Sequence, residues 1–152
     1  MGVEPALATS GRIMAIDFGS KRLGIAVSDS SATLAQPVTV IQRTQESEDL
    51  EQLFRLAADY DVQRIVVGYP RTLRGEAGPQ AAVVEKFIRK IKQRSGLPVD
   101  RYDERLTSKE ARTWLAQMGV RGRKADALVD KMAAALILQS YLDRRTGGSV
   151  SC

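Results

Sequence analysis

Two apolar runs separated by a short polar turn lie near the start of the chain, in the stretch MAIDFGSKRLGIAVSD at positions 14–29. The runs at 12–16 and 23–27 are joined by Gly-Ser-Lys-Arg, which is typical of a β-hairpin. Asp17 ends the first run, beside the core that the strands would form. An ionised carboxylate there is costly unless a hydrogen-bond donor or a bound cation offsets its charge. The stretch therefore predicts a hairpin and marks Asp17 as a candidate functional residue.

After the hairpin, the spacing of the apolar residues predicts further strands and helices. Further strands are predicted at 36–43, 64–70 and 97–104. Helical spacing predicts helices at 47–60, 79–94, 107–118 and 125–145, the first capped by Ser47 and the second ended by Gly96. A leading antiparallel meander followed by alternating helices and strands predicts an α/β fold with a mixed sheet flanked by helices.

The composition narrows the possible chemistry. The formal net charge is +5 and the pI is about 9.6, which favours a polyanionic partner, although many basic proteins bind nothing in particular. The chain contains no histidine, which excludes Ser–His and Cys–His nucleophile pairs and histidine metal ligands. An enzyme of this composition is expected to use carboxylates together with a hard cation held by oxygen.

The length of 152 residues suits one domain, which is predicted at 12–146. Residues 1–11 and 147–152 are predicted to be flexible tails, and the first lacks the pattern of a signal peptide. Cys152, the single cysteine, lies in the second tail, so no internal disulfide is possible. No apolar run approaches the ~20 residues of a membrane span. A cytoplasmic protein without a membrane partner is expected.

Other acidic positions could meet Asp17. Asp103 and Glu104 end the last predicted strand and point to opposite faces, so only one of them converges easily with Asp17. Asp126 and Asp130 share a face of the last helix. Gathered carboxylates repel one another, and a divalent metal would resolve that conflict. Each acid also has an ordinary alternative, either a turn cap at Asp17 or a surface ion pair at Glu104 and Asp130.

Basic residues occur in the loops predicted at the same end of the sheet. They are Lys21, Arg22, Arg71, Arg74, Arg105, Arg121, Arg123 and Lys124. Such side chains would contact phosphates, although each could instead be a solvated surface charge. For the helix cations we expect solvation: Arg89, Lys90, Lys92 and Arg94. Among the few aromatic residues, Tyr69 is best placed to stack on a base.

Four motifs carry a resemblance to a known family. AIDFGSKRLGIAVSD, VVGYPRTLRGEAG, DERLTSKEA and VDKMAAALILQSYLD occur in the order and spacing of the YqgF/RuvX family, over positions 12–145. This family resembles Holliday-junction resolvases of the ribonuclease-H-like superfamily. The resemblance implies a ribonuclease-H-like, five-stranded mixed sheet in which three antiparallel strands come first and parallel strands follow. It also implies a nuclease (a phosphodiester hydrolase) that processes the 5′ end of precursor 16S ribosomal RNA in ribosome biogenesis.

The resemblance also implies the site residues. Asp17, Glu104 and Asp130 would be catalytic and would hold two Mg²⁺ or Mn²⁺ ions. Asp103 and Asp126 are candidates for supporting positions, and Asp29 and Asp103 are expected to shape turns. The partner would be nucleic acid, RNA before DNA, with the ribosome or its precursors as a further partner. A monomer and a weak homodimer are both compatible with the sequence.

Three alternatives to an RNA nuclease can be compared. Within the same class, the substrate could be a Holliday junction or other branched or single-stranded DNA. A non-catalytic nucleic-acid or ribosome-binding module is a different class, but clustered acids beside phosphates would not help a pure binder. The hairpin also resembles the phosphate-binding hairpin of actin-like kinases, which need two such domains where this chain has room for one. The sequence does not distinguish endonuclease from exonuclease action.

Overall fold

The computed structural model describes residues 11–19, 21–69, 79–103, 116–117, 119, 122 and 132–144. The strands within these residues are β1 (Arg12–Phe18), β2 (Arg22–Ser28), β3 (Ala35–Gln42), β4 (Val62–Tyr69) and β5 (Val99–Asp103). The helices are α1 (Glu46–Asp59), α2 (Pro79–Ser95) and α3 (132–144). The predicted helix at 107–118, apart from residues 116 and 117, and the predicted tails, apart from Gly11, lie outside the described residues. None of the described helices is long and apolar enough to cross a membrane.

The strands form one five-stranded sheet in the order β3-β2-β1-β4-β5. β1 pairs with β2, and β2 with β3, in antiparallel fashion. β4 pairs in parallel with β1 on one side and with β5 on the other. The predicted mixed sheet with a leading antiparallel meander is therefore confirmed. β1 is the central strand, with a local hairpin partner on one side and a distant parallel partner on the other.

Each face of the sheet carries its own apolar cluster. The first cluster joins Met14, Ile16 and Phe18 of β1 to α1 and α2, and includes Leu50, Leu53, Phe87 and Ile91. The second joins Ile13 and Ala15 of β1 to α3, and includes Ala134, Ile137 and Leu138. Side chains alternate between the two faces of a strand. Asp17, two residues after Ala15, therefore lies on the face that α3 covers.

The start of α1 differs from the prediction. The N-cap is Gln45, without a side-chain capping bond, and Ser47 lies inside the helix. Two acids of the helix instead reach back to Thr44: its N–H donates to Asp49 Oδ1 at 3.2 Å, and its hydroxyl donates to Glu48 Oε2 at 3.0 Å. These bonds order the chain before the helix, so the prediction of Ser47 as the cap is wrong.

The end of α2 follows the prediction within one residue. Gly96 adopts a φ of +72° directly after the helix, and its N–H donates to the carbonyl of Lys92 at 3.0 Å. A left-handed residue at this point is typical of glycine at a helix C-terminus, since other residues are strained there. The chain then enters β5 at Val99, two residues later than predicted.

Asp29 organises the loop between β2 and β3. Its carboxylate accepts the backbone N–H groups of Thr33 at 2.7 Å and Leu34 at 3.1 Å. It also accepts the hydroxyls of Ser31 and Thr33, each at 2.8 Å. These donors, with the Thr33 N–H first, hold the pKa of Asp29 far below its ordinary value of 3.8. The expectation that Asp29 shapes a turn is confirmed.

This loop gives a prediction of pH dependence. Because the pKa of Asp29 is lower in the folded than in the unfolded chain, its carboxylate stabilises the fold at pH values above the ordinary pKa. That contribution decreases as the pH falls below 3.8 towards the folded-state value. Asp29→Ala should therefore be less stable than wild type at pH 7, and the difference should shrink in acid. Urea denaturation at pH 7 and in acid measures it, and a difference that does not depend on pH would contradict the role of the carboxylate.

Candidate active site at the end of the central strand

Asp17 lies between two glycines in the sheet. In register it pairs with Gly24 of β2 on one side and with Gly68 of β4 on the other. Both glycines are buried, whereas Asp17 is half-buried. Glycine inside a strand commonly marks a place where a ligand or another backbone approaches closely. The carboxylate of Asp17 thus stands on a strip of the sheet where neither adjacent position carries a side chain.

The same row continues to β5. Gly68 pairs with Tyr102, so Asp17, Gly68 and Tyr102 lie side by side across three parallel strands. The Tyr102 hydroxyl donates to Ser140 Oγ of α3 at 2.7 Å, which places Tyr102 on the α3 face. The even-numbered positions of β5 therefore share the face of Asp17.

The neighbouring positions of β5 confirm this alternation. Asp100, another even-numbered position, accepts a hydrogen bond from the Tyr141 hydroxyl of α3. It also forms an ion pair with Arg64, with 3.0 Å between the charged atoms. Arg101 instead makes a bidentate ion pair with Glu85 of α2, on the opposite face. Hydrogen bonding to Arg101 lowers the pKa of Glu85. Contacts with both helices thus fix which face each position of β5 occupies.

The turn after Asp17 requires glycine at position 19. The Gly19 N–H donates to the carbonyl of Arg22 at 3.0 Å. A Cβ at position 19 would lie 2.7 Å from that carbonyl oxygen, closer than real side chains come. This close approach explains why glycine follows Phe18, because the chain reverses at this point, two residues after Asp17.

Lys21 and Arg22 lie where the sequence predicted them, in and just after this turn. Both side chains are exposed. Arg22 precedes Gly24 by two residues on β2, so it shares the face of Asp17. The structure therefore brings these two cations and Asp17 to the same end of the sheet.

Arg43 is a residue that the sequence analysis missed. It follows β3, and its Nη1 donates to the carbonyl of Gly19 at 2.9 Å. Its guanidinium lies 4.7 Å from the centre of the Phe18 ring. The signal was present in the meander, because the end of a third antiparallel strand must return beside the first turn. Arg43 thus contacts both residues that follow Asp17.

The other predicted site residues lie outside the part of the chain that the structure describes. These are Glu104, Asp130, Asp126, Arg71, Arg74, Arg105, Arg121, Arg123 and Lys124, together with the side chains of Tyr69 and Asp103. The backbone of Asp103 ends β5, in register with Tyr69. Within the described ranges, no three acidic or cysteine side chains form a group able to hold a metal.

Known proteins resemble most of the chain in sequence. The family model described as RuvX, Holliday junction resolvase, matches residues 11–144. A relative from Chloroflexus aurantiacus is 43% identical over 133 residues, covering 88% of this chain and 87% of the relative. Another from Desulforudis audaxviator is 40% identical over 137 residues, covering 90% and 97%. Both relatives carry the provisional name pre-16S rRNA nuclease.

Solved structures share the fold at low sequence identity. Thermus thermophilus RuvC in complex with a Holliday junction substrate aligns with a TM-score of 0.59 and 16% identity, covering 90% of this chain and 96% of RuvC. The yeast mitochondrial resolvase Ydc2 aligns with a TM-score of 0.52 and 15% identity, covering 93% and 84%. The predicted ribonuclease-H-like fold is confirmed. With the family model spanning 11–144 and relatives above 40% identity, the chain belongs to the RuvX family.

Proposed function

We propose that the protein is a divalent-metal-dependent nuclease that hydrolyses phosphodiester bonds in the 5′ processing of precursor 16S ribosomal RNA. The observation that carries the proposal is the row formed by Asp17, Gly68 and Tyr102 at one end of the sheet. It combines a carboxylate on the central strand with adjacent positions that lack side chains. Such a surface suits the close approach of a cation and a phosphate.

The register favours Glu104 over Asp103 as the second carboxylate. Tyr102 contacts α3, on the face of Asp17, and Glu104 follows Tyr102 by two positions. Asp103 has the parity of Arg101, which contacts α2 on the other face. If the strand alternation continues for one more residue, Glu104 lies on the face of Asp17.

The position of α3 supports Asp130 as the third carboxylate. Ala134 is fully buried against the sheet on the face of Asp17, and Asp130 precedes it by four positions. Residues four apart share one side of a helix. A helix that extends one turn before the described residues would therefore present Asp130 on the side that contains Ala134. Asp126 lies one further turn away and would play a supporting part.

The residues fit a hard divalent cation. Carboxylate oxygens are the ligands that Mg²⁺ and Mn²⁺ prefer, and the chain offers them without histidine. Asp17, Glu104 and Asp130 would hold two such ions. When bound, the ions supply an activated water and stabilise the charge that develops on the phosphate. The three carboxylates would hold these ions, and the glycines beside Asp17 leave room for a phosphate to approach.

Substrate contacts would come from cations at the same end of the sheet. Lys21 and Arg22 are exposed there. The proposed nucleic-acid contacts also include five residues outside the described ranges, Arg71, Arg74, Arg105, Arg123 and Lys124. Phosphate contacts of this kind hold a nucleic acid in place without reading its sequence, and they weaken as salt rises. A nuclease of ribosomal RNA precursors would work in the cytoplasm.

The relatives favour RNA over branched DNA as the substrate. Proteins that are 40–43% identical carry a name that refers to pre-16S rRNA. The resolvases with solved structures are 15–16% identical, and that likeness reaches only the fold. Branched DNA remains the second candidate because the description of the matching family is Holliday junction resolvase. The cleavage assay must therefore include both substrates.

A pair of neighbouring substitutions tests the proposed carboxylates. Glu104→Gln should reduce cleavage by about 10³-fold, because it removes a charged metal ligand and keeps the size of the side chain. Asp103→Asn should cost about tenfold, the effect of a supporting position. The assay compares a pre-16S rRNA fragment, single-stranded RNA and a four-way DNA junction under Mg²⁺, Mn²⁺ and EDTA.

The outcomes separate the alternatives. Metal-dependent cleavage that Glu104→Gln abolishes supports the nuclease, and the preferred substrate decides between RNA and branched DNA. A larger loss in Asp103→Asn than in Glu104→Gln would show that Asp103, and not Glu104, is the second carboxylate. Tight RNA binding by the wild type without cleavage under either metal would refute the nuclease and leave a binding module.

A further inference from the structure

We propose that Arg43 is a positioning residue that fixes the Asp17–Gly19 segment and thereby the direction of the Asp17 carboxylate. The inference rests on the proposed function of Asp17 as a metal ligand. Arg43 lies outside the predicted site and belongs to the segment between β3 and α1. Its guanidinium nevertheless contacts the two residues that follow Asp17.

The contacts of Arg43 restrain Phe18 and Gly19 together. Nη1 donates to the Gly19 carbonyl at 2.9 Å, and the guanidinium lies 4.7 Å from the Phe18 ring centre. Phe87 of α2 packs edge-on against the same ring, with 4.9 Å between ring centres. Phe18 is therefore held by a cation and by a second aromatic ring. Because Asp17 is the preceding residue, a rotation of this backbone would redirect its carboxylate.

A backbone bond adds to this restraint. The Arg43 N–H donates to the carbonyl of Lys21 at 2.9 Å, so main chain and side chain of Arg43 contact opposite ends of the turn. The Gly19 N–H bond to Arg22 closes the turn between them. The side chain is thus the part of Arg43 whose removal changes the restraint on Gly19 and leaves the Lys21 bond in place.

Asp49 anchors Arg43 from behind. Its side chain is 2% exposed, and Oδ2 lies 3.7 Å from the Arg43 Nε. The other carboxylate oxygen accepts the Thr44 N–H at 3.2 Å. A buried carboxylate needs compensating charge and hydrogen bonds. Asp49 therefore fixes the guanidinium from α1, and this contact explains why an acid is buried at this point of the helix.

Arginine is suited to this role where lysine is not. The guanidinium is a planar fork that can bond one group at its edge while its face lies on a ring, whereas an ammonium is a point charge. Arg43→Lys keeps a positive charge near Asp49 and loses that geometry. The double variant Arg43→Gln with Asp49→Asn removes both charges, so no buried charge is left unpaired. The two designs perturb the site by different routes, which keeps the test valid if one of them folds poorly.

Arg94→Gln is a matched control. Arg94 lies at the C-terminal end of α2, and its guanidinium stacks 5.3 Å from the centre of the Phe54 ring. The substitution removes the same charge and the same kind of cation–π contact. It does so beside a cavity of about 370 Å³ lined by α1, β4 and the end of α2, away from Asp17.

The test compares these variants with wild type in three measurements. The first is Mn²⁺ titration of the protein alone by calorimetry, the second is cleavage against Mn²⁺ concentration, and the third is hydrogen exchange of the Gly19 amide. Both Arg43 designs should weaken Mn²⁺ binding by about 10–100-fold, as supporting partners of metal ligands do. They should also raise the Mn²⁺ needed for cleavage and speed exchange at Gly19, while RNA binding in EDTA stays unchanged. Arg94→Gln should match wild type throughout.

Asp17→Asn, measured in parallel, separates this inference from the proposed function. If Asp17→Asn binds Mn²⁺ and cleaves like wild type, the metal site is not at Asp17, so the assignment of Asp17 as a ligand and the role of Arg43 both fail. If Asp17→Asn is inactive and the Arg43 variants behave like Arg94→Gln, only the role of Arg43 is refuted. Weaker Mn²⁺ binding and faster Gly19 exchange confined to the Arg43 variants support it.

Discussion

Asp17→Asn is expected to lose cleavage by about 10³-fold or more while keeping its fold. Asparagine has the size of aspartate but no charge, so it removes the anionic ligand on the central strand. Asp17 is half-buried and its strand neighbours are glycines, so the neutral side chain meets no new steric conflict. Steady-state cleavage of the pre-16S rRNA fragment under Mg²⁺ and Mn²⁺ measures the loss.

The same variant should separate metal binding from folding. A ligand that binds only the folded state stabilises it, and the gain increases with the ratio of free ligand concentration to the dissociation constant. Mn²⁺ should therefore raise the melting temperature of the wild type and have much less effect on Asp17→Asn. Without metal, the variant should melt at or above the wild-type temperature, because one of the mutually repelling carboxylates is gone.

Asp59→Asn provides the control for charge alone. Asp59 is exposed at the end of α1, remote in the chain from the proposed ligands. It should cleave like wild type and show the same stabilisation by Mn²⁺. Full activity in Asp17→Asn, or an equal loss in Asp59→Asn, would remove Asp17 from the proposed site.

Phe87→Ala should produce the largest loss of stability among the substitutions considered. The side chain is fully buried and packs edge-on against Phe18, with ring centres 4.9 Å apart. Truncating a buried phenylalanine costs about 3–5 kcal/mol, because transfer free energy is lost and a cavity remains. Typical domains are stable by only about 5–15 kcal/mol, so the variant should unfold at much lower urea concentration. Urea denaturation followed by circular dichroism measures it.

Val83→Ala on the same helix is the matched comparison. Val83 is 46% exposed, so truncating it should change the free energy of unfolding by at most about 0.5 kcal/mol. If Phe87→Ala lost less than about 1 kcal/mol, the packing between α2 and β1 would not be the main support of this face. A large loss in Phe87→Ala alone would show that the packing of α2 on the sheet depends on the contact between Phe87 and Phe18.

Local patterns predicted the elements of the fold, but tertiary contacts decided details that those patterns could not. Two continuous apolar runs and the Gly-Ser-Lys-Arg segment predicted β1 and β2, and chain order alone made the meander the simplest pairing. The start of α1 was mispredicted because Asp49 and Glu48 bond backwards to Thr44. The burial of Asp49 could not be foreseen, because it depends on how α1 packs back against Arg43, the residue that follows β3.

The surroundings of Asp17 could be predicted only in part, because they depend on contacts between distant segments. Strand alternation predicts that Asp103 and Glu104 take opposite faces, and the contacts of Tyr102 and Arg101 favour Glu104 as the one that matches Asp17. That Gly24 and Gly68 both flank Asp17 likewise depends on pairings between distant segments. The family resemblance supplied the three acids at once, but it contained no sign of Arg43.

The central position of β1 also sets the order in which the protein can mature during its own synthesis. The β1–β2 hairpin leaves the ribosome first, yet a two-stranded hairpin is only marginally stable in water. Its parallel neighbour β4 and its cover α3, the last described element, are made much later. Until α3 is made, the apolar face beside Asp17 stays uncovered, because Ile13 and Ala15 have no helix to pack against. The surface beside Asp17 is therefore complete only once α3, the last described element, has packed onto the sheet.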